Sequence, residues 1–326
     1  MQAIKIKGYG AYLPPLVVTN DDMSKLVETN DEWIVSRTGI KERRISEGED
    51  TSSIAQKAAR LALERANIKG EEIDLIVVAT ITPDCYTPSV ACIVQKELGA
   101  KNALAFDVNA ACSGFIFGLE VAISLMKSNC NYKKALVIGA ETLSKIMNWE
   151  DRSTCVLFGD GGGAVVLSSE ELESSKCFAF HSKSEGEKGS ALVSEARDVI
   201  NPFVKDPVKK YGYVSMDGGA VFKFATKAII SSVKKVLEEC NLSLDDVDYI
   251  VPHQANYRII DYAAKKLKVD SEKFYLNVDK VGNTSSASIP IALNEMFEKN
   301  MLTEGKKIVL VGFGGGLTYG AVLIEL

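Results

Sequence analysis

The chain predicts a duplicated α/β protein, on three observations. Residues 67–77 (NIKGEEIDLIV) match 241–251 (NLSLDDVDYIV), and 133–139 (KKALVIG) match 306–312 (KKIVLVG). Each half then closes on a Gly-Ala-Val run, at 163–167 and 320–324. Helix-period segments alternate with β-branched runs that read as buried strands. We place the halves at residues 1–170 and 171–326.

The elements follow in order. Residues 1–8 read as a short strand and lack the long apolar core of a signal peptide. Residues 52–66 carry helical periodicity and lead into the first repeated strand. A strand end then reaches 107–115 (DVNAACSGF), and residues 115–126 continue as an apolar, buried helix. Residues 168–218, polar and with prolines at 202 and 207, read as a surface excursion joining the halves. Residues 224–240 form the helix before the second repeat. The glycine-interrupted run at 308–324 reads as buried strands around a turn, not a membrane span.

Composition narrows the class. Hydrophobic content of 46% and charged content of 25% suit a soluble protein, and the net charge of -5 argues against chain-wide attraction to nucleic acid. The 7 cysteines are scattered with no CxxC, which suits free thiols in a reducing cytosol and neither a disulfide framework nor a zinc site. The expectation is a cytoplasmic protein with no nucleic-acid or membrane partner.

Three segments hold the candidate chemistry. Cys112 has small neighbours and precedes an apolar helix, whose N-terminal N–H groups would favour thiolate. His253, in 251–256 (VPHQAN), sits where a strand end opens a helix, as functional groups do in α/β folds. Asn283, in 282–290 (GNTSSASIP), precedes Thr284, Ser285, Ser286 and Ser288, read as capping residues. Thiol, imidazole and amide are parts of a nucleophilic site. The repeat register would bring Cys112 from one half near His253 and Asn283 from the other across a pseudo-twofold axis. Core packing, a structural histidine and a turn asparagine are the bland alternatives, and residues 312–316 (GFGGG) read equally as a tight turn.

These motifs, with 30–40 (NDEWIVSRTGI), 157–164 (LFGDGGGA) and 314–320 (GGGLTYG), resemble the β-ketoacyl-[acyl-carrier-protein] synthase III family nearly end to end. The resemblance implies the thiolase fold, two pseudo-symmetric βαβαβαββ halves forming a five-layered αβαβα core. It implies that an acyl group passes from acyl-CoA to Cys112, and that malonyl-acyl carrier protein then loses CO2 and attacks the acyl-enzyme. His253 and Asn283 would stabilise the enolate. The backbone N–H groups of Cys112 and Gly315 would hold the tetrahedral oxyanion. No metal or redox cofactor is implied.

Matching positions extend the assignment. Trp33 and Arg152 would surround the CoA adenine, with Arg37 near the phosphates and Phe222 and Asn256 along the pantetheine channel. A family asparagine appears here as Gly219, which removes one polar contact. Lys223, Arg258, Lys265 and Lys266 match carrier-docking positions, the last three on one side of a helix. The family is typically a homodimer whose segment before Pro88 enters the partner's acyl pocket. Some members place phenylalanine there and accept only short straight primers. Thr87 takes that position here, so branched or medium-length acyl-CoAs are expected beside acetyl-CoA.

Four rival readings share parts of this pattern. A papain-like hydrolase shares the order Cys, His, Asn but has no reason to be duplicated. Thiolases carry a second cysteine where this chain has Phe313. A specialised relative in secondary metabolism or a plant-type polyketide synthase shares the triad with another substrate. A catalytically dead lipid-binding paralogue conflicts with an intact triad.

Overall fold

The computed structural model describes residues 2–171, 178–196, 198–205 and 212–326. The first half contributes strands β1 (Gln2–Tyr12), β2 (Leu16–Thr19), β3 (Glu42–Ile45), β4 (Leu75–Ala79), β5 (Leu104–Val108), β6 (Lys134–Glu141) and β7 (Gly161–Glu171). Its helices are α1 (Asn20–Met23), α2 (Asp31–Thr38), α3 (Thr51–Ala66), α4 (Val90–Leu98), α5 (Gly114–Ser128) and α6 (Arg152–Cys155). The second half contributes β8 (Phe178–Ser184), β9 (Leu192–Ser194), β10 (Val214–Met216), β11 (Tyr249–Pro252), β12 (Lys307–Gly314) and β13 (Thr318–Glu325). Its helices are α7 (Gly218–Glu239), α8 (Tyr257–Leu267), α9 (Val278–Val281) and α10 (Ser288–Glu298).

Two sheets with the same connectivity result. The first runs β1-β7-β6-β4-β5 and the second β8-β13-β12-β11. The repeated sequences occupy equivalent strands. β4 lies parallel to β6, which is antiparallel to β7; β11 lies parallel to β12, which is antiparallel to β13. The counterpart of β5 is reduced to one bridge, Ile250 with Phe274. Continuous apolar runs such as LIVVA in β4 are wholly buried because helices cover both faces.

The helices arrange these sheets into five layers. α5 and α10 lie between them, with Phe115, Leu119, Leu293 and Met296 meeting Val137 of one sheet and Leu310 of the other. α3 and α4 cover the outer face of the first sheet, and α7 and α8 that of the second. The α5 segment is the one stretch among the described residues that is long and apolar enough to cross a membrane. It is 56% buried here, as the central helix of the core.

Two expectations need correction. Residues 178–184 form β8, an edge strand registered against β13, so the expected surface excursion supplies part of the second sheet. Its short apolar start and polar end (FAFHSKS) suit a half-covered edge, which disguised it. Cys85, Cys92, Cys112, Cys130 and Cys155 are free thiols as expected, whereas Cys240 is disulfide-bonded. Cys177 lies outside the described residues.

Candidate active site

The nucleophile candidate sits in a 3-10 turn, Ala111–Ser113, that opens α5. Ala111 before it has a φ of 48°, a left-handed conformation that is costly for a residue with a Cβ and marks a tightly held turn. The glycine run packs directly on it: a Cβ on Gly314 would lie 2.7 Å from the Cys112 nitrogen. This is what the sequence reading of a mere tight turn lacked. Thr318 and Ser113 tie the turn to β13, through Thr318 Oγ1 to Ala110 O at 3.1 Å and Ser113 Oγ to Thr318 O at 2.8 Å.

His253 follows β11 and is 1% exposed. Its backbone N–H donates to Val311 O at 2.8 Å, continuing the pairing with β12. Gln254 locks the loop beneath it: its amide donates to Pro252 O and Tyr275 O and accepts from Asn277 N. The imidazole Nδ1 lies 2.7 Å from Ser288 Oγ, which also faces the Gln254 N–H at 3.4 Å. A serine oxygen accepting from Gln254 still has its one proton to offer to Nδ1. In the tautomer that uses that proton, Nδ1 accepts and Nε2–H is left as a donor. The Phe313 ring stands edge-on to the imidazole, 5.1 Å between centroids.

Asn283 is oriented by the turn that follows it. Its Oδ1 accepts from Ser285 N at 2.9 Å, which leaves the Nδ2 donors for the cavity that Asn283 lines. The expected capping role of the serines is not what the structure shows, since α10 has no side-chain cap bond. Ser285 and Ser286 instead reach the carboxyl of Glu141, and Ser288 reaches His253. These roles escaped the sequence reading because each serine's partner lies far away in the chain.

Two cavities meet at Cys112. One of about 280 Å³ is lined by Cys112, His253, Asn283 and Gly314 at its base and by Trp33, Arg37, Phe222, Asn256 and Arg258 farther out. The other, about 700 Å³, joins Cys112 to Gly315, Ser285, Leu143, Ile146 and Tyr86. Leu192 borders both, so the ribbon of β9 and β10 helps wall the site. The pseudo-symmetric register thus brings the three candidate groups together as expected.

Electrostatics bear on one expectation. Burial pushes the Cys112 thiol up to about 12, with the Ser285 hydroxyl opposing the rise; a charge on Glu141, were it ionised, would add to it. Desolvation therefore opposes the thiolate that the helix N-terminus was expected to favour. Burial also lowers His253 to about 3, so the imidazole is neutral.

The outer positions divide. The guanidinium groups of Arg37 and Arg152 lie over the Trp33 ring, 4.5 and 4.7 Å from its centroid. Asn256 caps α8 by accepting from Arg258 N and donates to Arg37 O, so its amide is engaged. Gly219 lies in the first turn of α7, its N–H bound to Asp217. Arg258, Lys265 and Lys266 are exposed along α8. Lys265 pairs with Asp261 at 2.7 Å, and Lys266 lies over Tyr262. Lys223 borders a separate cleft with Glu185, Glu187, Asp217, Lys188 and Lys227, a mixed-charge setting. Thr87 is exposed and lines neither cavity, whereas Tyr86, 79% exposed, borders the larger one.

A five-layered duplicated core with a thiol, a neutral imidazole and an amide around one cavity defines a condensing acyltransferase. The family model described as 3-Oxoacyl-[acyl-carrier-protein (ACP)] synthase III matches residues 106–186, and that for its C terminal matches 237–326. The chain is 57% identical over 325 residues to the Beta-ketoacyl-[acyl-carrier-protein] synthase III of Clostridium beijerinckii, covering 100% of both. The crystal structure of 3-oxoacyl-[acyl-carrier-protein] synthase III from Aquifex aeolicus VF5 superposes with a TM-score of 0.91 at 46% identity, covering 99% of this chain and 100% of that one. The priming β-ketosynthase of the R1128 polyketide pathway superposes at 0.92 with 33% identity, over 99% of this chain and 96% of that one. The chain belongs to the β-ketoacyl-[acyl-carrier-protein] synthase III family, with its thiolase fold. It catalyses the initiating condensation of fatty-acid synthesis.

Proposed function

We propose that Cys112, His253 and Asn283 divide that condensation into two stages. In the first, the Cys112 sulfur attacks the acyl-CoA carbonyl and the acyl–sulfur bond to CoA breaks, CoA leaving with the thiol proton. In the second, malonyl-carrier loses CO2, and the electrons of the broken carbon–carbon bond enter an enolate. Nε2–H of His253 and Nδ2–H of Asn283 donate to that enolate oxygen. The carbanion carbon attacks the acyl carbon, the tetrahedral oxyanion is held by the N–H groups of Cys112 and Gly315, and its collapse expels Cys112 as a thiolate that takes a proton from solvent to restore the thiol. The products are 3-oxoacyl-carrier, CoA and CO2, with no metal or redox cofactor in the balance. The observation that carries this reading is the meeting of two cavities at Cys112 with His253 and Asn283 on one of them.

The smaller cavity is read as the CoA and carrier-arm channel. A purine between Trp33 and a guanidinium needs roughly 7 Å, twice a van der Waals contact, so its entry moves Arg152 or Arg37 off the ring. The larger cavity is read as the primer pocket. Thr87 is assigned to the acyl pocket of a second copy, with Tyr86 beside it. Among the described residues the outer edge of β5 has no neighbouring strand, which supports a homodimer extended through that edge. Arg258, Lys265, Lys266 and Lys223 are read as the carrier dock. We also infer a cytoplasmic enzyme, and a division near residue 170 between the Cys-bearing and His/Asn-bearing halves.

The test is a mass shift on Cys112 after incubation with a panel of acyl-CoAs, followed by turnover with malonyl-carrier. Acylation at Cys112 followed by carrier-dependent 3-oxoacyl product supports the reading. Acylation elsewhere, or turnover without carrier, refutes it. Branched and medium-length primers are expected to load beside acetyl-CoA. A chain-length profile unchanged by Thr87→Phe would refute the pocket assignment.

A further inference from the structure

Glu141 is a buried carboxyl that the two-stage reaction does not use. It ends β6, is 0% exposed, and its hydrogen-bond partners among the described residues are neutral hydroxyls and one backbone N–H. Oε2 faces Thr80 Oγ1 at 3.0 Å, Ile81 N at 3.0 Å and Thr82 Oγ1 at 2.7 Å. Oε1 faces Ser285 Oγ at 3.1 Å and Ser286 Oγ at 3.0 Å. The carboxyl thus ties the end of β4 to the turn after Asn283. An ionised carboxylate without a counter-charge is costly in such a place.

Proton counting decides its form. Ser286 Oγ lies between Glu141 Oε1 and the carbonyl oxygen of Ala79, the latter at 2.8 Å. A serine has one proton, and a carbonyl and a carboxylate can only accept. If Glu141 is ionised, one of these two close oxygen pairs has no proton. If Oε1 carries a proton, it donates to Ser286, Ser286 donates to Ala79 O, and Oε2 keeps its three donors. Burial acts in the same direction, raising Glu141 above the usual carboxylate range against the hydrogen bonds from its neighbours. Among the described residues, the Cys112 thiol in the turn before α5 is a titratable group that would feel a charge on Glu141, whereas Thr80, Thr82, Ser285 and Ser286 are neutral.

We propose that Glu141 works as a neutral carboxylic acid that positions the turn after Asn283 and keeps negative charge away from Cys112. Its reach to the reaction runs through Ser285, whose hydroxyl meets Oε1 and whose N–H holds Asn283 Oδ1. Asn283 is thereby turned with its donors toward the cavity. A positioning carboxylate would do the same at the cost of opposing thiolate, oxyanion and enolate in turn. The link to the enolate rests on the two-stage reading above; the protonation state does not.

Glu141→Gln supplies an amide N–H in place of the acid proton and an oxygen in place of Oε2. The expected result is condensation at the wild-type kcat and an unchanged pH profile for iodoacetamide alkylation of Cys112. If wild-type Glu141 were charged, removing the charge would accelerate alkylation at fixed pH, about tenfold for each pKa unit relieved, and overturn the proposal. Glu141→Ala is expected to lower kcat for condensation while leaving acyl loading, with Glu141→Gln rescuing it. Equal loss in Gln and Ala variants that fold would overturn the positioning role. Difference infrared spectroscopy of wild type against Glu141→Gln should show a carboxylic-acid carbonyl band in the wild type, and its absence overturns the neutral form. Should the Gln variant not fold, Ser286→Ala removes the acceptor of the proposed proton and must shift that band; an unmoved band is equally fatal. Alkylation and infrared need neither acyl-CoA nor carrier, so they are decisive even if the two-stage reading fails.

Discussion

Ala111 in the first half and Ser285 in the second share a left-handed backbone, with φ of 48° and 49°. Each begins a 3-10 turn, Ala111–Ser113 or Ser285–Ala287, that opens a central helix. In that register Ser286 stands where the first half has Cys112. The packing is reciprocal. Gly312 of β12 lies under the first turn, where a Cβ would sit 3.2 Å from Ser113 Cα, and Gly139 of β6 lies under the second, where a Cβ would sit 2.3 Å from Ser286 O. One backbone arrangement therefore occurs twice and carries different side chains. The first half brings the nucleophile and the buried acid. The second brings the donors. Loading should then depend chiefly on one half and condensation on both.

The largest expected effect separates the halves directly. Cys112→Ser abolishes acyl loading, measured as the intact-mass shift with acyl-CoA. His253→Ala and Asn283→Ala retain loading but lose about 10²- to 10³-fold in condensation, the usual cost of removing an oxyanion-type donor. Near-normal condensation by either variant would end the division of labour.

The reciprocal glycines give the next effect, this time on stability. A methyl group at Gly139 meets a backbone carbonyl oxygen, which cannot move aside like a side chain. At Gly312 the nearest atom is Ile116 Cγ1, at 3.0 Å. Gly139→Ala is expected to cost about 3 kcal/mol and Gly312→Ala about 1 kcal/mol, within the range for overpacking. Thermal melts of the two variants check the order, and equal melting temperatures would show that the two crossings are not alike in tightness.

The site's electrostatics predict a pH dependence. The Cys112 thiol is raised to about 12, so thiolate is a minor form at neutral pH and grows as pH rises. Alkylation of Cys112 in the empty enzyme should climb about tenfold per pH unit across the neutral and mildly alkaline range. A plateau there would mean that the turn before α5 lowers the thiol after all. His253, neutral above about 3, should add no protonation step in the same range.

The fold was legible wherever burial was symmetric. Repeated strands such as KKALVIG and KKIVLVG announced themselves because both faces of each sheet are covered, leaving little freedom in their side chains. β8 was not legible, because an edge strand keeps only part of that pattern. The triad was readable as short motifs at strand and helix ends. Ser288, Ser285 and Glu141 were not, because their function lies in contacts between residues remote in sequence, and a serine before a helix looks like a cap. The thiolate expectation meets an opposing effect for a related reason: a helix N-terminus can be read from a sequence, but the depth of burial that opposes it cannot.

The smallest expected effect concerns the outer surface of the second half, where α8 carries cations at unequal disposal. Arg258 lines the mouth of the smaller cavity and follows the Asn256 cap, so its charge lies beside the route to His253. Lys265 lies about two helical turns farther along α8, and its ammonium already pairs with Asp261 on the preceding turn. Exposed charges act mainly through encounter rate and are screened by salt. Arg258→Glu should therefore raise KM for malonyl-carrier more than Lys265→Glu does, with both effects shrinking as ionic strength rises. Acyl-CoA loading should change little in the Lys265 variant, which is remote from the cavity. Equal increases in KM from the two substitutions would place the carrier along the whole helix. Equal damage to loading and condensation by Lys265→Glu would remove α8 as a carrier dock.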